Sequence, residues 1–285
     1  MPSGFVLIDK KEGVTSRSVD NKIQRLFHIK KVGHLGTLDP FASGLLIIAV
    51  DKGCKALPYI DDSFKKYTAK LSLGKKTSSG DLTGEVIEEK EIPELYIEDV
   101  LEVFESFIGE STQIPPMTSA IHHEGKRLYD LARTGQEVER KQRPITIKSL
   151  KVLSFDGNSL EFEVICSRGT YVRVLGEDIA TELGTVGYLS SLRRTAIGFI
   201  DVDKAISIDD LKESDLVNPC ELISLKHIIM RDENLIKDIK DGKSIQLEEK
   251  DNTVLLCYYM ENELSPLAVY TRDKDNEFVS LRGLW

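Results

Sequence analysis

The sequence has few cysteines and no long apolar segment. Its four cysteines lie far apart and form no C-x-x-C pair. This argues against a disulfide framework or a cysteine zinc site and favours a reducing compartment. No uninterrupted apolar stretch approaches the roughly 20 residues that span a bilayer, and the first residues do not have the basic and then apolar order of a secretory signal. We therefore expect a cytoplasmic protein without a membrane-spanning segment.

Motifs that bind nucleotides or catalytic metals are also missing. The chain contains no G-x-G-x-x-G, no G-x-x-x-x-G-K-[ST] and no H-E-x-x-H sequence. His122 and His123 are adjacent, but they lie in a predicted strand, where neighbouring side chains point to opposite faces. No other histidine has the spacing of a metal-ligand pair. We expect neither a metal nor another cofactor.

The net charge of −9 is distributed unevenly. Residues 201–285 carry 11 Lys and Arg against 19 Asp and Glu, and residues 81–110 carry 11 acidic residues against Lys90 alone. The rest of residues 1–200 therefore has an excess of basic residues. Such segregation permits contact with a polyanion such as RNA but does not prove it, because many surfaces segregate charge without such a partner.

Apolar periodicity predicts an α+β fold with a largely antiparallel mixed sheet, flanked by helices. One helix begins at Thr15 or Ser16, and another runs from 171 to 183 and is stopped by Gly184. Asp156 and Gly157 lie in a predicted hairpin turn. Strand-like runs are predicted at 5–8, 45–50, 67–73, 145–155, 160–166, 187–200, 253–259, 267–271 and 277–281. The last three, separated by charged turns, predict a small β-rich module at the C-terminus.

Two predicted helices have an apolar face. The first contains Val19, Ile23, Leu26 and Phe27. The second lies in the acidic segment, and its apolar positions are Val100, Leu101, Phe104, Phe107 and Ile108. Residues with this spacing lie on one side of a helix, so we expect both sets to be buried.

Residues 33–44, with the sequence GHLGTLDPFASG, place a histidine and an aspartate five residues apart in a predicted loop. Glycines at 33, 36 and 44 permit backbone angles closed to other residues and let a ligand approach the main chain. Pro40 stiffens the turn and biases Asp39 toward an extended conformation. The apolar run at 45–50 predicts a buried strand that anchors the loop. An Asp-Pro pair alone more often only begins a turn, but the whole string predicts a rigidly held carboxylate in a cleft.

This segment closely resembles the signature of the TruB family of tRNA pseudouridine synthases. In that family the aspartate that matches Asp39 is the catalytic nucleophile. Residues 166–173, CSRGTYVR, resemble the family motif C-S-[KR]-G-T-Y-[IV]-R. The resemblance implies that Arg173 pairs with the catalytic aspartate and that Tyr171 lines the uridine pocket. Taken alone, Arg173 would more often lie on an exposed helix face.

Three more side chains match the family's pattern. Tyr67 lies in a segment similar to K-x-Y, where the ring stacks on the target base and the hydroxyl assists proton transfer. His34 matches the histidine of G-H-x-G, which helps to position the extruded loop. Leu192 begins an L-R-R sequence whose leucine closes the apolar wall against uracil. Taken alone, these residues have structural interpretations: a strand tyrosine, a loop histidine and a core leucine.

The central part of the chain also resembles the family. Residues 115–135 are similar to its P-x-x-S-A-x-x-x-x-G-x-x-x-Y-x-x-A-R-x-G block. Residues 122–151 carry eight basic and four acidic residues, which favours a phosphate-contacting face that includes Lys126, Arg127 and Arg133. A solvated basic helix is an equally good interpretation of these charges.

The resemblance implies an enzyme that isomerises uridine 55 in the T-loop of tRNA, with the T-arm stem-loop as its partner and no cofactor. It implies a pseudouridine synthase core over 1–220 with an RNA-contacting insertion at about 110–150. A small PUA-like module over 221–285 follows, and we expect a monomer. The reaction detaches uracil, turns it and rejoins it through carbon, so nothing is oxidised. It needs an ionised carboxylate, and a buried carboxylate stays ionised only beside a positive partner.

Two alternatives remain open. A guide-RNA-dependent pseudouridine synthase shares the aspartate loop, but this chain has no lysine-rich tail and retains the central insertion around 110–150. An RNA-binding helper of tRNA folding would not need catalysis. The presence of Asp39, Tyr67 and Arg173 argues against lost catalysis, though not against an added folding role.

Overall fold

The computed structural model describes residues 2–119, 122–123, 125–128, 131, 134–136 and 138–284, with the backbone alone at 122–123 and 126–127. The chain forms two compact units. The first unit comprises Met1–Pro40, Gly44–Asp62 and Phe199–Trp285, and the second comprises Phe41–Ser43 and Ser63–Gly198. Within the described ranges no helix is long and apolar enough to cross a membrane.

Helices and strands alternate irregularly, as the periodicity predicts. The helices are α1 (Ser16–Leu26), α2 (Ile97–Phe107), α3 (Val172–Glu182), α4 (Pro219–Leu222) and α5 (Glu233–Lys240). The strands of the first unit are β1 (Gly4–Lys10), β2 (Val32–Leu35), β3 (Ser43–Val50, whose first residue belongs to the second unit), β13 (Ile200–Asp201), β14 (Lys226–Ile229), β15 (Ile245–Gln246), β16 (Thr253–Met260), β17 (Glu263–Lys274) and β18 (Glu277–Gly283). Those of the second unit are β4 (Phe64–Leu73), β5 (Lys75–Thr77), β6 (Val86–Glu89), β7 (Gly109–Gln113), β8 (His122–His123), β9 (Lys126–Arg127), β10 (Arg143–Phe155), β11 (Ser159–Ser167) and β12 (Gly187–Ile197).

In the first unit, β3 pairs antiparallel with both β1 and β2. Helix α1 begins where the Thr15 side chain accepts a hydrogen bond from the backbone N–H of Ser18, at 3.0 Å. Val19 and Ile23 are buried in the core that the helix forms with β1 and β3. The helix start predicted at Thr15 or Ser16 is confirmed.

The prediction that both apolar helix faces are buried was wrong in part. Leu26 is 46% exposed, and Phe27 is buried but caps α1 instead of lying in it. In the second unit, Leu101 is 52% exposed, and Ile108, 49% exposed, follows the end of α2 in an extended conformation. The ends and edges of an apolar stripe are buried only where a neighbouring element covers them, and the stripe alone does not specify that element.

The C-terminal part of the first unit is a separate five-stranded sheet in the order β14-β16-β17-β18-β15. Its neighbours are antiparallel except for β14 and β16, which are parallel. Helix α5 packs its buried Ile239 into the same core as Val254, Tyr270 and Phe278. The predicted small C-terminal β-rich module is confirmed.

The second unit is built on an antiparallel sheet in the order β12-β4-β11-β10-β7. The predicted hairpin joins β10 to β11, and Gly157 has a φ of +88° in its turn. Val100 and Phe104 form the buried side of α2, and the Phe104 ring meets Phe162 of β11 edge-on, with ring centroids 5.8 Å apart. The largely antiparallel α+β fold is therefore confirmed, whereas the boundary at 220/221 stays a prediction.

Candidate active site

In the first unit, the half-buried Asp39 lies in a segment that buried side chains hold in place. Ser16 is 2% exposed, and its hydroxyl both accepts from the N–H of Leu38 and donates to the carbonyl of Leu38, each at 3.0 Å. The ammonium group of Lys10, 1% exposed, donates to the carbonyl of Pro40 at 3.4 Å. The backbone on both sides of Asp39 is therefore fixed, whereas a rigidly held Asp39 carboxylate in a cleft stays a prediction.

His34 lies in strand β2, not in a loop. Its backbone pairs with Ile48 of β3. Its Nδ1 is 2.9 Å from Oδ2 of Asp20, and its Nε2 is 3.1 Å from the Thr37 hydroxyl. The prediction of a single loop over 33–44 was therefore wrong at both ends, because β2 extends to Leu35 and β3 begins at Ser43.

The glycines of this segment differ in their need for a special backbone. Gly36 and Gly44 have φ angles of +65° and +105°, a region that side chains with a Cβ rarely enter. Gly33 lies in β2 without a positive φ, and an added Cβ would meet no atom within 4 Å. Conformational freedom is therefore required at Gly36 and Gly44 but not at Gly33.

In the second unit, Tyr67 and Leu192 lie on the same face of the sheet. Tyr67 in β4 pairs with Arg194 in β12, and Leu192 pairs with Ala69. Paired residues of adjacent strands share a face, and residues two apart on one strand do so as well. Tyr67, Leu192 and Arg194 are all buried, at 8%, 4% and 1% exposure. An aromatic ring, an apolar wall and a buried guanidinium therefore occupy neighbouring positions.

Helix α3 covers this same face. An ideal Cβ on Gly176 would lie 2.9 Å from Cδ2 of Leu189 and 3.4 Å from Cδ1 of Leu71. Leu71 is four residues from Tyr67 on β4, so both side chains point to one side of the sheet. The missing side chain at Gly176 lets the helix approach closely. Arg173, one turn earlier on α3, is thereby brought to the side of the sheet that carries Tyr67.

Arg173 is buried, and its partners lie in distant parts of the chain. Its side chain is 4% exposed, which rules out an exposed helix face. Its Nη1 donates to the carbonyl of Ser79 at 2.7 Å and to the Thr118 hydroxyl at 2.6 Å. The same nitrogen lies 3.7 Å from Oδ2 of Asp81, whose side chain is 6% exposed. The predicted pairing of Arg173 with Asp39, a residue of the other unit, stays a prediction.

Asp81 is itself held by a polar turn. Its Oδ1 accepts hydrogen bonds from the Ser79 hydroxyl at 2.8 Å and from the backbone N–H of Thr83 at 2.9 Å. The other oxygen, Oδ2, faces Arg173. A carboxylate whose hydrogen bonds are satisfied on one side can orient a guanidinium on the other. The only signal for this in the sequence is the run SSGDLT at 78–83, which resembles an ordinary turn.

Tyr171 occupies the N-cap position of α3 and is fixed through its backbone. Its N–H donates to Oε1 of Gln113 at 2.8 Å, and its carbonyl accepts from Nε2 of Gln113 at 3.1 Å. Gln113 is 5% exposed and comes from the edge strand β7. This two-way amide contact fixes the first turn of α3, and therefore the start of the helix that carries Arg173.

Two other titratable groups of this region have shifted pKa values. Burial raises the pKa of the Cys166 thiol to about 12, so Cys166 stays neutral and is not a nucleophile. Burial also raises the pKa of Glu177 on α3, against the opposing effects of Lys76 and Arg173. Neither group replaces Asp39 as the candidate nucleophile.

The structure describes only part of the predicted basic face. Strands β8 and β9 pair His122 with Arg127, but the side chains of Lys126 and Arg127 and the whole of Arg133 lie outside the described residues. Among the residues that are described, no group of three or more His, Cys, Asp or Glu side chains is arranged to hold a metal ion.

The chain is similar to proteins of known class. The family described as TruB family pseudouridylate synthase (N terminal domain) matches residues 24–172. The tRNA pseudouridine synthase B of Hydrogenovibrio crunogenus is 42% identical over 260 residues, which cover 90% of this chain and 85% of that protein. The protein of the same name from Geobacter sulfurreducens is 47% identical over 210 residues, covering 74% of this chain and 69% of the relative.

Solved structures show the same fold. A chain of a Cbf5-Nop10-Gar1 complex aligns with a TM-score of 0.72 at 20% identity, covering 99% of this chain and 85% of the other. A chain of the archaeal box H/ACA sRNP Nop10-Cbf5 complex aligns with a TM-score of 0.69, also at 20% identity, and covers 100% of this chain and 86% of the other. At this identity the likeness concerns the fold alone.

Proposed function

Because the chain belongs to the TruB family of pseudouridylate synthases, we propose that it isomerises uridine to pseudouridine at position 55, in the T-loop of tRNA. The observation that carries the proposal is the buried Arg173, held by Asp81 on the side of the sheet that carries Tyr67 and Leu192. A buried cation on the side of the sheet that carries an aromatic ring and an apolar wall suits a uracil ring and a carboxylate that must stay ionised.

Asp39 is the proposed nucleophile. In the reaction the bond between C1′ of the ribose and N1 of uracil breaks, and a bond between C1′ and C5 of uracil forms. C5 loses a proton and N1 ends with one, so atoms and electrons balance without a redox cofactor. A carboxylate can attack the sugar or stabilise its cationic form. The contacts to the backbone of Leu38 and Pro40 support this role, because they fix the position of the Asp39 main chain between them.

The remaining site residues form the proposed pocket. Tyr67 stacks on the flipped uracil, and its hydroxyl assists the loss of the C5 proton. Leu192 closes the apolar wall, and Tyr171 lines the uridine pocket. Arg173 pairs with Asp39 and keeps it ionised, and His34 supports the extruded RNA loop. The burial of Tyr67, Leu192 and Arg173 supports a site that excludes water.

Substitution of Tyr67 separates stacking from proton transfer. Tyr67→Phe keeps the ring but removes the hydroxyl, and Tyr67→Leu removes both. We expect both variants to be slow, by roughly 10²-fold or more, because a positioned acid or base contributes about that factor. Single-turnover release of tritium from C5-labelled uridine in tRNA measures the rate. Near-normal turnover by Tyr67→Phe would mean that Tyr67 acts by stacking alone. Normal turnover by Tyr67→Leu would mean that Tyr67 has only a structural role in its strand.

RNA binding is expected to depend on salt despite the negative net charge. Each phosphate contact contributes roughly −0.9 to the slope of log affinity against log salt on a duplex. Neutralising Lys126, Arg127 and Arg133 together should weaken tRNA binding and flatten this slope by about two to three. The control removes the same charge from the acidic C-terminal part, at Lys204, Lys212 and Lys237. Equal effects of the two triple variants, or an affinity that does not change with salt, would contradict a phosphate-contacting face.

One experiment tests the function directly. The purified protein is incubated with an unmodified tRNA transcript and no other RNA, and pseudouridine is mapped by chemical probing. We expect modification at position 55, and none in a transcript with cytidine there. Modification only after a guide RNA is added would favour the guide-dependent alternative. Binding and refolding of tRNA without any pseudouridine would favour the folding helper.

The domain arrangement, oligomeric state and location are part of the same proposal. Residues 1–220, with an insertion at about 110–150, form the catalytic domain of a cytoplasmic monomer. Residues 221–285 form a PUA-like module, supported by a five-stranded sheet with its own core between 226 and 283. The T-arm stem-loop is the part of tRNA that the enzyme holds.

A further inference from the structure

Helix α1 carries a buried carboxylate in contact with His34. The Asp20 side chain is 1% exposed, and its Oδ2 lies 2.9 Å from Nδ1 of His34. The guanidinium of Arg17, on the same helix, is 3.6 Å from that oxygen, but the Arg17 side chain is 68% exposed. His34, at 18% exposure, is therefore the close partner of a carboxylate on the buried side of α1.

This carboxylate is incompletely satisfied. Its second oxygen, Oδ1, is buried, and no described protein group donates to it. Burying a charged or polar atom without a partner opposes folding. An apolar side chain of the same shape would avoid that cost, because replacing a buried ionic group with a well-packed apolar one is often neutral or stabilising. Asp20 therefore has no evident role in stabilising the core, and its contact with His34 needs another explanation.

The contact determines how His34 presents its ring. An ionised carboxylate only accepts hydrogen bonds, so in the proposed arrangement Nδ1 of His34 carries the proton and donates to Asp20. The hydrogen bond at one ring nitrogen decides the role of the other. The other nitrogen, Nε2, lies 3.1 Å from the hydroxyl of Thr37, which is exposed and two residues before Asp39. A chain of contacts thus runs from the buried helix to the segment that carries the proposed nucleophile.

We propose that Asp20 is a positioning residue for pseudouridine formation: it holds His34 by Nδ1, so that Nε2 faces the Asp39 segment and the RNA loop bound there. The inference rests on the proposed function for its catalytic consequence. The geometry of the Asp20–His34–Thr37 chain stands on its own.

The main test separates positioning from stability. Asp20→Leu has nearly the same shape without the charge, and we expect it to unfold at the same or higher denaturant concentration than wild type. Its kcat/KM for tRNA should nevertheless fall about ten-fold, the lower end of the loss that follows removal of the outer hydrogen-bond partner of a metal-ligating histidine, used here as the analogy. Arg17→Gln, which spares the His34 contact, is the matched control and should keep its activity. Wild-type kcat/KM in Asp20→Leu would overturn the proposal.

A double-mutant cycle shows whether Asp20 acts through His34. In a His34→Ala background, Asp20→Asn and Asp20→Leu should lower kcat/KM no further, because the residue they position is gone. The same loss in both backgrounds would overturn the proposal. If Asp20→Leu folds poorly, the cycle is measured with Asp20→Asn alone, because asparagine keeps the shape and polarity of aspartate.

Nitrogen NMR of the His34 ring supplies a readout that does not need activity. In the wild-type protein, labelled at histidine, Nδ1 should give a protonated signal that shifts in Asp20→Leu and stays in Arg17→Gln. An unprotonated Nδ1 in wild type would overturn the proposal. A protonated Nδ1 in a protein that forms no pseudouridine would instead mean that the proposed function is wrong and that the Asp20–His34 contact is nevertheless present.

Discussion

Asp39→Asn is expected to abolish pseudouridine formation while leaving the fold and tRNA binding largely intact. Amide and carboxylate have the same shape, but only the carboxylate can attack the sugar or stabilise its cationic form. The rate should fall by roughly 10³-fold or more, the scale found when an essential nucleophile is removed. The measurement is single-turnover tritium release from C5-labelled tRNA, together with a filter-binding affinity for unlabelled tRNA.

The control for this variant is Asp241→Asn, which makes the same chemical change at an exposed aspartate of the first unit. It should retain wild-type turnover and binding. Substantial residual activity in Asp39→Asn, above what contaminating wild-type enzyme explains, would remove Asp39 from the role of nucleophile. A loss of tRNA binding as large as the loss of turnover would also contradict it, because the nucleophile acts after the RNA is bound.

Arg173→Ala is expected to lower both activity and stability. Its removal leaves the Asp81 carboxylate buried without the cation that lies 3.7 Å away. Breaking a buried ion pair in this way costs about 3–5 kcal/mol of unfolding free energy. Turnover should fall by roughly 10²-fold or more, because the proposed nucleophile also loses its partner. Denaturant unfolding measures the first effect, and single-turnover tritium release measures the second.

A second substitution separates the structural from the catalytic role of Arg173. Adding Asp81→Asn to Arg173→Ala removes the stranded charge and should recover part of the lost stability. It should recover none of the activity if Arg173 acts on the nucleophile. Recovery of both together would make Arg173 a purely structural residue. Arg173→Lys should be intermediate, since lysine keeps the charge but lacks the planar guanidinium, whose Nη1 here contacts Ser79, Thr118 and Asp81.

The chemically distinctive residues were visible in the sequence because each lies in a short, unusual string. Asp39 stands in a loop with glycines and a proline, and Arg173 ends a run of eight residues that matches a family motif. Tyr67 was recognisable by the alternation of its strand, which the structure confirms with Tyr67, Ala69 and Leu71 buried on one face. Local patterns suffice where the function of a residue depends on its immediate neighbours in the chain.

The partners of these residues were not visible, because they come from distant segments whose polar side chains look ordinary. Asp81 lies in a turn 92 positions before Arg173, and Gln113 contacts Tyr171 across 58 positions. Asp20 lies on the buried side of α1, but in the sequence it resembles the other charged residues of an amphipathic helix. Which polar group is buried beside which depends on chain packing, and no local pattern encodes it.

By itself, the sequence determined the longer strands and the helices α1, α2 and α3 of this protein, because side-chain periodicity follows directly from backbone geometry. It also determined the family, through motifs in which several rare residues occur together. Only the tertiary structure decided that His34 extends a strand, that Leu26 and Leu101 are exposed, and that Arg173 is held by Asp81. These outcomes depend on which distant surface covers each element, and the free energy of that contact is shared by residues far apart in the chain.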